Sequence, residues 1–249
     1  MTPQVELDKE TPEAIQAAYY ARTADSYDDL HTACETDEHY AALDLMCAMG
    51  ASFHLKTFLD VGAGTGRGML YLRDRGKRVF GVEPVGELIE QAHKKGVARG
   101  TIAKGSGYHL PFEDGSFDAV YECGVLHHVA RPDLVVREMM RVARKAVFLS
   151  DENRFGQGSS YGVRMLKVVL YKLRLWRLLK SIQTRGRMYK ITEEDGLAYS
   201  YSVFQSYDRL AQWADRIYVL QTAEQGRVES WLNPLLTASH ALLCALRIR

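Results

Sequence analysis

Three glycines and one carboxylate are the residues whose types and spacing most directly indicate chemistry in this sequence. Gly62, Gly64 and Gly66 follow an apolar run, and Glu83 lies 21 residues after Gly62. A turn that passes from a strand to a helix within a few residues, and that lets a ligand approach its backbone, needs residues without a Cβ. An acid at the end of the next strand can accept hydrogen bonds from both hydroxyls of a ribose. The stretch 56–84 therefore predicts a strand, a glycine loop, a helix and a second strand that together hold a nucleoside.

The positions of the glycines distinguish between two nucleoside ligands. A dinucleotide-binding loop has the pattern G-x-G-x-x-G, but Arg67 stands where its third glycine would be. The sequence instead reads D-x-G-x-G-x-G from Asp60, which resembles motif I of the class I S-adenosylmethionine-dependent methyltransferases. The resemblance implies that S-adenosylmethionine is the cofactor and that the carboxylate of Asp60 faces its methionine ammonium. A glycine-rich turn of another α/β protein is the alternative. The cofactor-binding residues implied here are Asp60, Gly62, Ala63, Gly64, Gly66, Glu83 and Pro84.

A second stretch, 105–133, is similar to the next motifs of the same family. In that family a G-D-A-x-x-L-P-F run touches the adenine, ahead of a strand that begins F-D-x-V. Here the runs 110–112 and 117–120 match. Ser106 stands where the family usually has aspartate, and its hydroxyl can hydrogen-bond an amino group without charge assistance. The resemblance implies that Ser106 and the backbone amides of Gly107 and Tyr108 lie at the adenine.

The end of the strand that follows is expected beside the reactive methyl group, because ligands of open α/β sheets bind outside the carboxyl ends of strands. This places Glu122, Cys123, His127 and His128 near the chemistry. Methyl transfer is an in-line displacement on a carbon activated by a sulfonium, so the protein aligns the reactants and, where needed, removes a proton from the nucleophile. Imidazole titrates near neutral pH, which makes His127 or His128 the predicted base. Alternatively, one histidine packs and the other hydrogen-bonds the backbone.

The N-terminal region 11–50 is predicted to be helical, with Thr11 as a cap. Its segment from Tyr20 to Asp28 reads Y-x-x-x-A-x-x-Y-D. Small-molecule methyltransferases of this class often begin with a similar segment that closes over the cofactor. The resemblance therefore implies a lid with Tyr20 and Tyr27 as cofactor contacts. That these tyrosines only pack the helix on the domain is equally open.

The resemblance fades beyond Ser150. Asp151, Asn153 and Arg154 at the end of the fifth strand could bind substrate or only cap turns. The segment 161–190 holds nine lysines and arginines and no acid, interleaved with apolar residues. It could lie on an anionic membrane or hold a lipid-linked or phosphorylated substrate. Alternatively, it could cap the substrate pocket or form a dimer surface. Its charges scatter around the helical wheel rather than forming one polar face, which favours the cap.

Composition bounds the partners and the compartment. A net charge of +1 gives no global field for nucleic acid, and the N-P-P-[YF] motif of amino-methylating nucleic-acid enzymes is absent. The four cysteines show no metal spacing and no C-x-x-x-C-x-x-C, which predicts reduced thiols, no metal and no radical iron–sulfur chemistry. No signal core is present and no apolar run approaches the ~20 residues that span a bilayer. We expect a cytoplasmic protein without a transmembrane segment or nucleic-acid partner. Peripheral membrane contact through 161–190 and the oligomeric state stay open.

The pattern of strands and helices predicts an α/β fold. The resemblance to the family implies a Rossmann-like seven-stranded sheet of order 3-2-1-4-5-7-6, whose last strand is antiparallel and whose helices cover both faces. A lid helix precedes it and a helical insertion follows strand five. The predicted organisation is a single methyltransferase domain over 1–249, with a lid at 11–50, a cofactor-binding core at 51–155, a helical or cap insertion at 156–205 and completion of the sheet at 206–249.

The predicted function is methyl transfer from S-adenosylmethionine to an oxygen or nitrogen of a small-molecule or carrier-linked acceptor, such as a sugar, a polysaccharide precursor or another metabolite. The alternative is a non-catalytic cofactor-binding partner or regulatory subunit, which Ser106 in place of the usual acid supports. A dehydrogenase is a distant third.

Overall fold

The computed structural model describes residues 11–28, 38–158, 160–193, 195–224 and 234–248. The helices in these ranges are α1 (Pro12–Thr23), α2 (Glu38–Ser52), α3 (Arg67–Asp74), α4 (Gly86–Lys94), α5 (Pro132–Val142), α6 (Tyr161–Lys172), α7 (Trp176–Gln183), α8 (Tyr207–Trp213) and α9 (Pro234–Thr237). The strands are β1 (Thr57–Val61), β2 (Arg78–Glu83), β3 (Ile102–Lys104), β4 (Phe117–Cys123), β5 (Ala143–Glu152), β6 (Tyr189–Thr192), β7 (Gly196–Tyr199), β8 (Arg216–Glu224) and β9 (Ala238–Leu246). Short 3₁₀ turns follow α1, β4 and β7.

Seven of these strands form one sheet in the order β3-β2-β1-β4-β5-β9-β8. The first five are parallel, and Phe58 of β1 pairs with Val79 of β2 on one side and with Ala119 of β4 on the other. β9 is antiparallel to both β5 and β8. The predicted order, with an antiparallel last strand between the fifth and sixth, is confirmed.

The central strands are buried on both faces, which explains why they read as continuous apolar runs. One face packs against α5 and α8, through residues such as Val135, Met139 and Leu210. The other packs against α2 and α3, through Met46 and Leu72 among others. The two layers of helices hold the parallel strands in place. They therefore fix the positions at the carboxyl edge of the sheet where the loops begin.

The helical insertion predicted after the fifth strand is present as α6 and α7, and the structure adds a feature that the sequence did not predict. β6 and β7 form a separate antiparallel hairpin. α1 lies against it, because the Tyr19 hydroxyl donates to the Glu193 carbonyl at 2.9 Å and the side-chain oxygen of Gln16 accepts from the Leu197 amide at 2.5 Å. The lid helix and the hairpin therefore lie together beside the carboxyl edge of the sheet. In the described part of the chain, no helix has the length and apolar character needed to cross a membrane.

Candidate active site

A cavity of about 930 Å³, measured with its open mouth, lies at the carboxyl ends of β1, β2 and β4 and beside α1. Five of the predicted site residues lie outside its lining, namely Asp60, Ala63, Gly66, Glu122 and His127. The structure brings the others together in its wall: Tyr20, Tyr27, Gly62, Gly64, Glu83, Pro84, Ser106, Gly107, Tyr108, Cys123 and His128.

The glycine loop needs its glycines for two different reasons. Gly62 and Gly64 both have left-handed backbone, with φ of 78° and 53°, which side chains with a Cβ rarely adopt. A Cβ on Gly62 would also lie 2.5 Å from Val125 Cγ2, so the loop after β4 leaves no room for a side chain at this position. A Cβ on Gly64 would meet only the Tyr27 ring, at 3.6 Å and beyond. Gly64 therefore presents backbone without a side chain to the cavity, and its contact with a cofactor stays a prediction.

Glu83 ends β2 with its carboxylate in the cavity wall. Its Oε2 accepts from the Gly64 amide and its Oε1 from the Val85 amide, both at 2.9 Å. Burial raises the pKa of Glu83 to about 7, and the two backbone hydrogen bonds oppose that rise. These two hydrogen bonds fix the orientation of the carboxylate, and one of them connects it to the glycine loop.

Asp60 lies beneath the loop rather than in the cavity. It is 4% exposed, and its Oδ2 accepts from the Tyr121 hydroxyl at 2.7 Å. Burial raises the pKa of Asp60 to about 7, and the Tyr121 hydrogen bond opposes that rise. The buried carboxylate of Asp60 is thus hydrogen-bonded to β4, and a direct contact with a ligand ammonium stays a prediction.

At the predicted adenine end, Ser106 Oγ accepts from the Tyr108 amide at 3.3 Å. A Cβ on Gly107 would lie 3.1 Å from Val61 and Val135, so the backbone passes close to both. The hydroxyl of Tyr108 accepts from the Arg131 amide at 3.1 Å, which fixes the loop to the start of α5. The three residues line the cavity, and their contact with the adenine stays a prediction.

The two lid tyrosines face the cavity and contact each other edge to face, with ring centroids 5.6 Å apart. Burial raises the pKa of Tyr27 to about 12 and that of Tyr20 well above 10. Asp28, one residue on, accepts from the Thr65 hydroxyl at 2.8 Å and pairs with Lys95. The lid is therefore attached at its end to the glycine loop.

The two histidines after β4 occupy different environments. His128 lines the cavity, with Nδ1 2.7 Å from the Leu197 carbonyl and Nε2 2.9 Å from the Tyr20 hydroxyl. In the tautomer whose Nδ1–H donates to this carbonyl, Nε2 carries the lone pair and faces the Tyr20 hydroxyl.

His127 is buried behind that wall, between two carboxylates. Its Nδ1 lies 2.7 Å from Asp151 Oδ1 and its Nε2 lies 3.5 Å from Asp195 Oδ2. Burial lowers the pKa of His127, but the charge and hydrogen bond of Asp151 outweigh it and raise that pKa well above its usual value. Both aspartates have lowered pKa values for the converse reason, because contacts with the histidines outweigh their burial. His127 is therefore held between two carboxylates outside the cavity lining, whereas His128 lies in the cavity wall.

Glu122 is also turned away from the cavity and is fully buried. Its Oε2 accepts from the Val125 amide at 2.9 Å, and its Oε1 has no hydrogen-bond partner among the described residues. Burial, followed by the charge of Asp151, raises the pKa of Glu122 well above its usual value. A neutral Glu122 beside an ionised Asp151 fits these surroundings.

Two site residues escaped the sequence analysis. Gln16 of α1 contacts the cavity and places its Nε2 3.1 Å from His128 Nδ1. Asp195, at the start of β7, lies 3.4 Å from His128 Nε2. A polar side chain one helical turn before Tyr20 was a usable signal for Gln16, since positions four apart share a helix face. No local pattern marks Asp195, because the hairpin that carries it contacts the site from far along the chain.

The residues that end β5 divide among three roles. Asp151 supports His127. Asn153 is buried and its amide donates to the Leu235 and Ala238 carbonyls, both at 2.9 Å, so it fixes a turn as the alternative interpretation expected. Arg154 lines a second cavity, beside α6 and α7.

Comparison with known proteins identifies the domain. Residues 59–150 match a family described as a methyltransferase domain. The chain is 34% identical over 142 residues to an uncharacterised methyltransferase of Mycobacterium avium (strain 104), with 57% of this chain and 51% of the relative covered. It is 34% identical over 149 residues to a demethylmenaquinone methyltransferase of Thermobifida fusca (strain YX), with 57% and 61% covered. The chain thus spans about half the length of the first relative and three fifths of the second.

Solved structures share the fold. A magnesium protoporphyrin IX methyltransferase of Synechocystis PCC 6803 with bound SAH has a TM-score of 0.62 at 17% identity and covers 95% of this chain and 100% of its own. A possible histamine N-methyltransferase of Thermotoga maritima has a TM-score of 0.59 at 17% identity, with 93% and 99% covered. The matched family model identifies residues 59–150 as a methyltransferase domain, and the sheet order is that of a Rossmann-like methyltransferase fold, which supports the predicted resemblance to the class I S-adenosylmethionine-dependent methyltransferases. The cofactor predicted from the glycine pattern is the cofactor of the family.

Proposed function

We propose that this protein transfers a methyl group from S-adenosylmethionine to an oxygen or nitrogen atom of a small-molecule or carrier-linked acceptor in the cytoplasm. The observation that carries the proposal is Glu83, which ends β2 in the wall of the cavity and is hydrogen-bonded to Gly64 at 2.9 Å. Sugars, polysaccharide precursors and other metabolites are the acceptor classes expected from the family resemblance.

The cavity residues fit the cofactor. Each oxygen of the Glu83 carboxylate accepts one backbone amide, and since a carboxylate has about four lone-pair sites, both oxygens can still accept from a ribose hydroxyl. Ser106 and Gly107 would lie at the adenine, and the rings of Tyr20 and Tyr27 would cover the ligand. The bound cofactor supplies a methyl group that its sulfonium has already activated. The protein's part is to align the acceptor, exclude water and, for a hydroxyl or ammonium acceptor, take a proton.

His128 is the residue proposed to take that proton. Its Nε2 faces the cavity wall, and Nδ1–H is fixed by the Leu197 carbonyl at 2.7 Å. An acceptor proton can pass to Nε2 directly or through the Tyr20 hydroxyl, which lies 2.9 Å from it. Asp195, 3.4 Å from the same nitrogen, would stabilise the imidazolium that forms.

The test is a screen of cell-extract fractions with S-adenosylmethionine carrying an isotopically labelled methyl group, followed by identification of the labelled product by mass and by the atom labelled. A labelled oxygen or nitrogen in a metabolite supports the proposal. A demethylated quinone should be tested as an acceptor beside the extract fractions, because one relative is named a demethylmenaquinone methyltransferase. A label on carbon would contradict the proposed acceptor atom while leaving methyl transfer intact.

The non-catalytic alternative predicts a different combination of results. Calorimetric titration with S-adenosylmethionine measures the first step, and the labelled screen measures turnover. Cofactor binding with no labelled product in any fraction would favour a partner or regulatory subunit. Absence of cofactor binding by the parent protein would contradict both functions.

A further inference from the structure

A second cavity adjoins the cofactor cavity and differs from it in charge. It measures about 1640 Å³ with its open mouth and lies between the end of β5, the helices α6 and α7, and the end of the hairpin. Val129 lines both cavities, so the two are separated by little more than one residue. The cationic residues in its lining are Arg131, Arg154, Arg177, Lys180 and Arg187.

Arg154 is the most unusual of these cations because it is buried. Its side chain is 5% exposed, and no carboxylate lies within ion-pair distance of it in the part of the chain that the structure describes. Its guanidinium donates to the Ser200 carbonyl. It also donates to the side-chain oxygen of Gln205 when the Gln205 amide is turned so that its oxygen faces the guanidinium. Nε has no hydrogen-bond partner among the described residues. A buried charge without a counter-charge is strongly unfavourable, so a guanidinium held in this state on a cavity wall favours the binding of an anion there.

Aromatic rings hold the Arg154 guanidinium in place. It lies 5.3 Å from the centre of the Tyr171 ring and 5.0 Å from that of Trp176, both of which also line the cavity. Cation–π contacts stabilise a guanidinium without neutralising it. The planar fork of donors is therefore positioned in advance of any ligand, a geometry that matches phosphate and carboxylate oxygens.

The surrounding charges have the same sign. Lys180 of α7 lies over the Trp176 ring, and burial, followed by repulsion from Lys190 and Arg154, lowers its pKa. Among the described lining residues the one acid is Asp133, and its carboxylate receives two hydrogen bonds from Arg131 at 2.9 Å each. The lining therefore carries an excess of positive charge over negative charge.

We propose that this second cavity binds a phosphate or diphosphate group of the acceptor substrate. Several cations that converge on one cavity suit a ligand with more than one negative charge, and a phosphate monoester carries about −1.5 to −2 at neutral pH. A carboxylate carries a single charge and would leave the excess unbalanced. The assignment of the phosphate to the acceptor rests on the proposed methyl transfer, whereas phosphate binding in the cavity does not.

The test is calorimetric titration of the full chain with inorganic pyrophosphate at constant ionic strength. The wild type is expected to bind saturably, and Arg154→Gln to weaken binding by about tenfold or more, since hydrogen bonds to charged groups contribute most. Lys180→Gln and Arg177→Gln, whose side chains are more exposed, should each weaken it about two- to fivefold. Lys172→Gln, an exposed cation of α6 outside the cavity lining, is the matched control and should change affinity less than about twofold. Thermal unfolding of each variant checks the fold, and the α7 variants keep the test valid if Arg154→Gln unfolds.

No saturable binding, equal binding by all the variants, or equally tight binding of malonate would overturn the phosphate site. S-adenosylhomocysteine is titrated in parallel. If it binds and pyrophosphate does not, only the phosphate site is overturned. If pyrophosphate binds and S-adenosylhomocysteine does not, the proposed methyl transfer and the assignment of the phosphate to its acceptor are overturned, while phosphate binding in the cavity stands.

Discussion

The two cavities share a wall residue and have opposite electrostatic character. The described lining of the cofactor cavity includes Glu13 and Glu83 and no lysine or arginine, whereas that of the second cavity includes five cations and one acid. A ligand with a sulfonium and an ammonium suits the first, and an anionic ligand suits the second. The boundary near Val129 is thus a change of charge, and a substrate that crosses it would be oriented by the two fields.

The cavities also differ in how the chain builds them. The cofactor cavity is formed by the loops that follow β1, β2 and β4 and by side chains of α1. The second cavity is formed by side chains from the start of α5, the loop after β5, α6, α7 and the two ends of the hairpin, which lie far apart in sequence. We infer that the first can be recognised from a motif, while the second becomes visible only when the segments are packed together.

His128→Asn is expected to have the largest effect. Removing a proton acceptor at the cavity wall should lower the turnover number by about 10²–10⁴-fold, while the affinity for S-adenosylhomocysteine changes little. The matched control is His54→Asn, an exposed histidine before β1 at the opposite edge of the sheet, with left-handed backbone that asparagine tolerates. Turnover that is unaltered in His128→Asn and His127→Asn alike would contradict a histidine base.

Glu83→Ala should separate the two cavities. It removes the acceptor of the predicted ribose hydroxyls and leaves the Gly64 and Val85 amides without partners, so affinity for S-adenosylhomocysteine should fall by about 100-fold. Calorimetry should show the pyrophosphate affinity unchanged, because Glu83 lies outside the second cavity. Glu87→Ala, an exposed acid on α4, serves as control. A parallel loss of both affinities would mean that the cavities are coupled.

The sequence predicted the first of these regions well and the second poorly. The glycine spacing and Glu83 required only local reasoning, because loop, helix and strand are consecutive and the backbone alone dictates glycine there. The placement of Asp60 beneath the loop depends on Tyr121, sixty-one residues away, and the separation of His127 from His128 depends on Asp151 and Asp195. Pairings over such distances leave no periodic trace in a single sequence.

Gly62→Ala should lower the free energy of unfolding more than the same substitution does at a glycine that has similar backbone angles but more space around it. Gly76 has φ of 76°, close to the 78° of Gly62, but a Cβ there would meet no atom within 4 Å. Gly76→Ala should therefore lower the free energy of unfolding by about 1–2 kcal/mol through backbone strain alone. Gly62→Ala adds the contact with Val125 and should lose a further ~1–3 kcal/mol in urea unfolding. Equal losses would show that the loop after β4 moves away freely.

The affinity of the first cavity should depend on pH through Glu83, with the smallest effect. Burial raises its pKa to about 7, so the carboxylate that accepts ribose hydroxyls is lost as the pH falls through 7. If only the ionised form binds, the dissociation constant for S-adenosylhomocysteine should rise about tenfold from pH 8 to pH 6.

The same raised pKa means that the folded state holds this proton more tightly than the unfolded state, so the contribution of Glu83 to stability is most favourable at low pH and declines as the pH rises towards 7. Glu83→Gln should bind more weakly but with a flat pH profile, which distinguishes Glu83 from Asp60, whose pKa is also about 7. If the dissociation constant of Glu83→Gln still depends on pH, the titrating group is Asp60. That result would mean that Asp60 takes part directly in binding.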